Sequence, residues 1–321
     1  MTKVLDVKNL RVYFHTPLGP VKAVDGISFD LNPKERLGIV GESGSGKSTM
    51  AYSLMRLIKK PGKIESGEII VGGEDILSLE ENQMRARRFS KISLIPQGSM
   101  NSLNPVMRIE EQLIDTVRAH DESKSSISKS EKQEIVSKLL KSVGLDPELG
   151  KRFPHELSGG MKQRVTIAMG ISLNPTVIIA DEPTSALDVV VQRQVMDTLE
   201  SAQERIGAGL ILVGHDMGLM AQFVDRIAVM YAGKIVEIAP VETIFNKPLH
   251  PYTKMLIKSL PKLDSHGVFN GIPGLPAQLL NLEDGCSFCL RIGRLNKKEI
   301  PWVKISKTHY IRECKVCSDY N

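Results

Sequence analysis

The sequence predicts an α/β protein organised around a phosphate-binding loop, and three observations carry that expectation. The segment "LGIVGESGSGKSTMAYSL" passes from an apolar, strand-like run through a glycine-rich loop into residues with helical spacing. The run "TVIIADEP" ends a second apolar strand in the adjacent carboxylates Asp181 and Glu182. The longest apolar runs, such as "VIIA" and "LILV", suit buried strands and are far too short to cross a bilayer.

Taken in order, the chain opens with "MTKVLDVKNLRVYF", whose alternation of apolar and polar residues reads as an edge strand. It lacks the long apolar stretch of a secretory signal, so no export is expected. With 321 residues, 41% apolar and 25% charged, the chain can hold one large domain and a smaller one. In the glycine-rich loop, Gly41, Gly46, Lys47 and Ser48 fill the pattern G-x-x-x-x-G-K-[ST], with Ser43, Gly44, Ser45 and Thr49 completing the segment. Glycines let such a loop turn its N–H groups inward around phosphates, and the following helix N-terminus adds partial positive charge. Lys47 would reach the β- and γ-phosphate oxygens, and the Ser48 hydroxyl would ligate Mg²⁺. Asp181 is suited to hold that ion through water, and Glu182 to polarise an attacking water.

At "HELSGGMKQR" the pattern becomes more specific. Leu157 to Arg164, with Ser158, Gly159 and Gly160 at its centre, resembles the signature of the ATP-binding-cassette (ABC) ATPases. Other motifs follow in that family's order: "IPQGSM" with Gln97 resembles its Q-loop, "SALD" its D-loop, and "LVGHDM" with His215 its switch loop. Phe14 falls where the family places an aromatic against adenine. "MNSLNPVMRI", "FNKPLHPYTKMLIKSLP" and "GIPGLPAQLLN" are similar to the ATPase subunits of oligopeptide and dipeptide importers, a group that includes oligosaccharide importers.

The resemblance implies a RecA-like P-loop ATPase core with an antiparallel β subdomain and an inserted α-helical subdomain, plus a C-terminal extension. Its expected bounds are 1–240 for the ATPase domain, about 98–160 for the helical subdomain and 241–321 for the extension. It also implies ATP and Mg²⁺ as cofactors and a second ATPase subunit, of a paralogous chain, bound head to tail so that the signature acts on the partner's ATP. Two transmembrane permease subunits, an extracytoplasmic substrate-binding protein and a place on the cytoplasmic face of the membrane follow, with no nucleic acid. In that scheme Glu182 is the general base, His215 bonds the γ-phosphate and the attacking water, and Lys47, Ser48, Gln97 and Asp181 organise Mg²⁺ and phosphates. The "HDESKSSISKSEKQ" stretch reads as solvated surface. DNA-repair relatives insert a long coiled coil between phosphate loop and signature, which is missing here; separate-chain exporters stay open as an alternative.

The tail differs from the body. Residues 286–321 carry 8 Lys and Arg against 3 Asp and Glu, while residues 1–285 balance at 34 against 34, so the whole excess of +5 lies there. From about residue 241 the Pro and Gly punctuation suggests an extended arm, with His250 and His266 as ordinary surface residues. All four cysteines, Cys286, Cys289, Cys314 and Cys317, lie in the last 36 residues. The spacing C-x₂-C, 24 residues, C-x₂-C has the form of a Cys₄ metal site and by itself favours structural Zn²⁺. Dipeptide-type importers carry four tail cysteines, some holding a [4Fe-4S] cluster. Gly285, Cys286, Phe288 and Arg291 match the family's tail, but Ile292 stands where its second cysteine belongs, and Cys289 comes three residues early. His309 and Cys314 resemble the closing element with one extra residue between them, and Cys317 is additional. A cluster, zinc and no metal all remain open at this level.

Overall fold

The computed structural model describes residues 3–98, 102–120, 127–260 and 271–320. In chain order the first elements are β1 (Leu5–Thr16), β2 (Gly19–Leu31), β3 (Arg36–Val40), α1 (Lys47–Leu54), β4 (Gly62–Val71), β5 (Glu74–Asp75) and α2 (Glu81–Arg87). There follow β6 (Ile92–Ile95), α3 (Ile109–His120), α4 (Lys129–Ser142), α5 (Gly159–Gly170), β7 (Val177–Asp181), α6 (Val189–Ile206) and β8 (Gly209–Val213). The last are α7 (Met217–Phe223), β9 (Arg226–Tyr231), β10 (Lys234–Pro240), α8 (Val241–Asn246), α9 (Pro251–Lys258), α10 (Ser287–Arg291), β11 (Trp302–Lys304) and β12 (Tyr310–Arg312). They form two compact units, the first of residues 1–6, 30–35 and 70–211, the second of residues 7–29, 36–69 and 212–321.

In the first unit β6 and β7 pair in parallel, from Ile92 opposite Val177 to Ile95 opposite Ala180. Every residue of both strands is buried. Apart from Ser93 and the terminal Asp181 both strands are apolar, as a parallel strand covered on both faces requires. Helix α5 starts on Ser158, whose side chain accepts the Met161 amide, and packs against α6 because Gly160 has no side chain: a Cβ there would lie 2.5 Å from Val191. The solvated stretch expected after α3 is partly helical. Ser128 and Glu131 close a capping box that starts α4, so Lys129 to Gln133 belong to a helix. Residues 121–126 of that stretch lie outside the described residues.

In the second unit β1 lies between β2 and β4. The expectation of an edge strand is therefore corrected. Alternation reports that one face of a strand is covered, and an inner strand of a one-sided sheet alternates as well as an outer one. Strands β3 and β9 pair in parallel, β9 and β10 antiparallel, and the sheet continues through β12 to β11. The tail is thus built into the sheet, with Ile311 opposite Glu237 and Tyr310 opposite Ile238.

The expected extended arm is corrected in the same way for "NKPLHPYTKML", which contains most of α9. Pro251 occupies the first helical turn, where its missing N–H costs no bond, and His250 caps the helix by accepting the Tyr252 amide. Residues 271–280, "GIPGLPAQLL", form no helix or named strand and join the unit through a bridge between Leu280 and Val21. His250 is only 2% accessible, so its reading as a surface residue was wrong; His266 lies outside the described residues. Among the described residues no helix is long and apolar enough to cross a membrane.

Candidate functional site

The second unit carries the phosphate loop between β3 and α1. Two glycines in it are dictated by space as well as by backbone angle. Gly41 has φ 153° and a Cβ there would lie 2.1 Å from the Met230 carbonyl; Gly46 has φ 101° and a Cβ there would lie 2.0 Å from the Ala23 carbonyl. The loop is therefore pressed against backbone on two sides, which only glycine permits. Gly46 caps α1, and no acidic side chain in the first turn, Lys47, Ser48 and Thr49, offsets the positive end of the helix. Lys47 is 7% accessible and donates to the carbonyls of Gly41, at 2.8 Å, and Glu42, at 2.9 Å. Ser45 is buried, whereas Ser43 and Gly44 are exposed at the loop tip. Phe14, half-buried on β1, covers Gly62. His215 is exposed just beyond β8, next to Asp216, which caps α7 by accepting the Leu219 amide.

The first unit carries the carboxylates. Asp181 ends β7 and is fully buried. Glu182 follows it with φ 45°, a left-handed conformation that a non-glycine residue adopts at a cost of order 1–3 kcal/mol. That turn aims the Glu182 carboxylate at Gln97, whose Nε2 donates to Oε2 at 2.6 Å. The sequence order alone placed these two residues 85 positions apart; the fold brings them into contact. Gln97, Asp181, Glu182 and Ser158 to Gly160 all belong to this unit, whereas Phe14, the phosphate loop and His215 belong to the other. At the signature, Ser158 is exposed and the following glycines open α5 with no acidic side chain in the first turn, so this helix end is also suited to an anion.

The ABC transporter family model matches residues 24–185, which contain the phosphate loop, Gln97, the signature and both carboxylates. The chain belongs to the ABC transporter family. The model of the oligopeptide/dipeptide transporter C-terminal region matches residues 236–291. The oligopeptide transport ATP-binding protein OppD of Bacillus subtilis is 43% identical, covering 97% of this chain and 88% of its own. The dipeptide transport ATP-binding protein DppD of Lactococcus lactis is 42% identical, covering 97% and 90%. A solved dimer of the ATP-binding cassette MJ0796, bound to ADP and Pi, superposes with a TM-score of 0.64 at 26% identity, covering 74% of this chain and 98% of that one. This cassette has the RecA-like P-loop fold of those relatives, and its chemistry is ATP hydrolysis, for which ATP and Mg²⁺ are the general requirement.

The cassette's tail, within the second unit, draws its four cysteines together. All four sulfurs are buried and lie within 4.8 Å of one another. Cys286 and Cys317 are 3.8 Å apart, Cys289 and Cys314 3.5 Å. Gly285, with φ 106°, lets the chain turn into the first knuckle, since a Cβ there would lie 2.0 Å from the Asn296 carbonyl. The Cys286 amide donates to that carbonyl, and the Asn296 side-chain amide donates to the Cys314 sulfur at 3.2 Å. A bond from Cys317 holds the Cys286 thiol down at about 5. Cys317, as donor of that bond, and Cys289, by burial, are pushed up. Of Cys286, Cys289 and Cys317, only Cys286 is thus favoured as a thiolate, and gathering several thiolates in so dry a site calls for a cation.

Two sets of contacts escaped the sequence reading. Glu237 is fully buried on β10, accepts the amides of Leu249 and His250, both at 2.9 Å, and pairs with His309 Nε2 at 2.9 Å. It thereby joins β10, the start of α9 and the tail hairpin. An acidic residue inside the apolar run "IVEIA" was the available signal. Arg291 of the first knuckle reaches Glu42 of the phosphate loop, a pairing 249 positions apart that no local pattern announces.

Proposed function

We propose that the cassette is the motor of an importer that takes up oligopeptides or dipeptides through a separate membrane permease. The observation that carries this is the joint match of two family models on one chain, cassette and oligopeptide/dipeptide tail. The relatives OppD and DppD, oligopeptide and dipeptide transport ATP-binding proteins, point the same way. In this reading the chain sits on the cytoplasmic face of the membrane. It pairs head to tail with a second, paralogous ATPase subunit, and a binding protein outside the membrane delivers the peptide. The helices between Gln97 and the signature, about residues 98–160, receive the permease.

The roles of the residues follow from their chemistry. Lys47 and the amides of residues 41–46 hold the phosphates; Ser48, Gln97 and Asp181 serve Mg²⁺, and Phe14 takes the adenine. Glu182 removes the proton of the attacking water, held in orientation by Gln97, and His215 bonds the γ-phosphate. Ser158, Gly159 and Gly160 act on the ATP of the partner subunit, so a triphosphate joins two chains and hydrolysis releases them. Glu182→Gln removes the base and keeps the shape: ATP binding persists while turnover falls by about 10²–10⁴-fold. Full hydrolysis by that variant would refute the assignment of the base. Peptide affinity of the cognate binding protein, measured against a panel of peptides and oligosaccharides, tests the cargo; preference for sugars would move the chain to the oligosaccharide branch.

The four cysteines form, in the same reading, a metal centre that fastens the tail. The 3.5 and 3.8 Å separations within the two facing pairs suit one tetrahedral ion: four thiolates at about 2.3 Å from zinc lie about 3.8 Å from each other. The second reading, a [4Fe-4S] cluster, is favoured by the tail's match at Gly285, Cys286, Phe288 and Arg291 and would require the sulfurs to spread around a larger core. Either group would supply a cation for the thiolates and a covalent clasp for a segment with little core. Anaerobic purification followed by metal analysis and visible spectroscopy separates them: one colourless zinc per chain, or about four brown irons. A metal-free chain would overturn both.

A further inference from the structure

Arg291 has a side chain only 2% accessible, although it lies on a short helix near the end of the chain. Its Nε donates to the Pro273 carbonyl at 2.8 Å, and Nη2 donates to the carbonyls of Ile272 and Gly274. Nη1 and Nη2 together grip the Glu42 carboxylate, Nη2 at 3.1 Å from Oε1. The guanidinium also lies over the Tyr231 ring, 5.9 Å from its centre. A planar fork on a carboxylate is the strongest and most directional of ion pairs.

Glu42 is the second residue of the phosphate loop, and the tail holds it twice. Its side chain is in the Arg291 fork, and its amide donates to the Tyr252 hydroxyl of α9 at 3.1 Å. Its carbonyl accepts the Lys47 ammonium and the Ser45 amide. The residue that sets the position of the phosphate lysine is thereby fixed from outside the loop, its side chain by the same short helix that Cys286 caps and that bears Cys289. Both partners lie in family-matched segments, Glu42 within 24–185 and Arg291 as the last residue of 236–291.

We propose that Arg291 is a positioning residue for ATP: it transmits the fold of the cysteine knuckle to the phosphate loop through Glu42, so the loop's grip on the triphosphate depends on the tail being assembled. The contact to Glu42 stands by itself; the dependence on metal rests on the reading of the cysteines given above.

The test uses the full chain carrying Glu182→Gln, so that ATP binds without turning over, and measures Kd for ATP with Mg²⁺. Glu42→Gln leaves the bonds of Arg291 to residues 272–274 in place and removes only the ion pair; it should weaken ATP about five- to tenfold. Arg291→Gln should do the same, the double variant should be no worse than the poorer single, and Arg291→Lys should recover part of the loss. Unchanged Kd in Glu42→Gln, or additive losses in the double variant, would overturn the proposal. Amide exchange provides the second readout. Chelation should raise exchange in residues 41–47 by about threefold or more in the chain with Arg291, and should add nothing once Arg291→Gln is present. Exchange that rises around the cysteines and leaves 41–47 unchanged also overturns it. A chain that never held metal removes the metal reading, and the binding cycle then judges Arg291 alone.

Discussion

The His250 imidazole is used as an oxygen-like acceptor: Nδ1 takes the Tyr252 amide at 3.1 Å and caps α9. Burial pushes its pKa from an ordinary 6.5 down to about 3. Below pH 6.5 the unfolded chain therefore binds a proton that the folded chain refuses until about pH 3. Stability from this group is intact above pH 6.5 and is lost as pH falls through that window, by about 2 kcal/mol at pH 5. His250→Asn keeps a capping acceptor and removes the titration, so urea unfolding between pH 7 and 5 should become flatter by up to about one proton, even where the variant is less stable at pH 8. An unchanged pH slope would mean that His250 is charged in the folded chain. The sequence showed this histidine among Pro, Lys and Leu, with nothing to say that the Phe288 ring would close over it, 5.9 Å between ring centres. The placement of Lys47 at the start of α1 and of Asp181 and Glu182 at the end of β7 was legible because adjacent residues write it. The burial of His250 and the pairings of Glu237 and Arg291 were not, because each depends on a residue distant in sequence: Phe288, His309 and Glu42.

At the scale of elements the cysteine knuckle shows what local pattern can and cannot deliver. The pairs C-x₂-C were visible, and so was the glycine before the first; the closing of the two pairs into one set depends on Asn296, whose carbonyl and side-chain amide tie Cys286 to Cys314. The β12–β10 pairing, which places the second knuckle, was illegible because β11 and β12 are three residues each, too short for periodicity to register. Gly285→Ala tests the knuckle as a unit. The added methyl group would meet the Asn296 carbonyl at 2.0 Å, at a left-handed φ of 106° that alanine resists. The turn must then open, at a cost of order 1–3 kcal/mol. We expect the variant to fold, melt several degrees lower and hold less metal per chain at limiting metal, read by thermal melting and metal analysis. Full metal occupancy at an unchanged melting temperature would show that the knuckle tolerates the open turn.

Across the whole molecule, the tail brings all of the net positive charge, two strands for the sheet and a hand on the phosphate loop, so its assembly and nucleotide binding cannot be independent if Arg291 acts as proposed. Linkage makes that statement quantitative. If the metal-loaded tail raises affinity for ATP by some factor, ATP must raise the tail's affinity for metal by the same factor. A five- to tenfold effect corresponds to a coupling of about 1–1.4 kcal/mol. Metal affinity is read by competition with a chelator, once with saturating ATP and Mg²⁺ and once without nucleotide, in the Glu182→Gln chain so that ATP survives the titration. Chelator excess needed for half removal should rise five- to tenfold with ATP, matching the ratio of ATP affinities before and after chelation. In Arg291→Gln both ratios should fall toward one together. Two ratios that disagree would indicate that ATP or the chelator acts at some further site, and two that stay near one in the parent chain would leave the tail as an anchor without influence on the nucleotide.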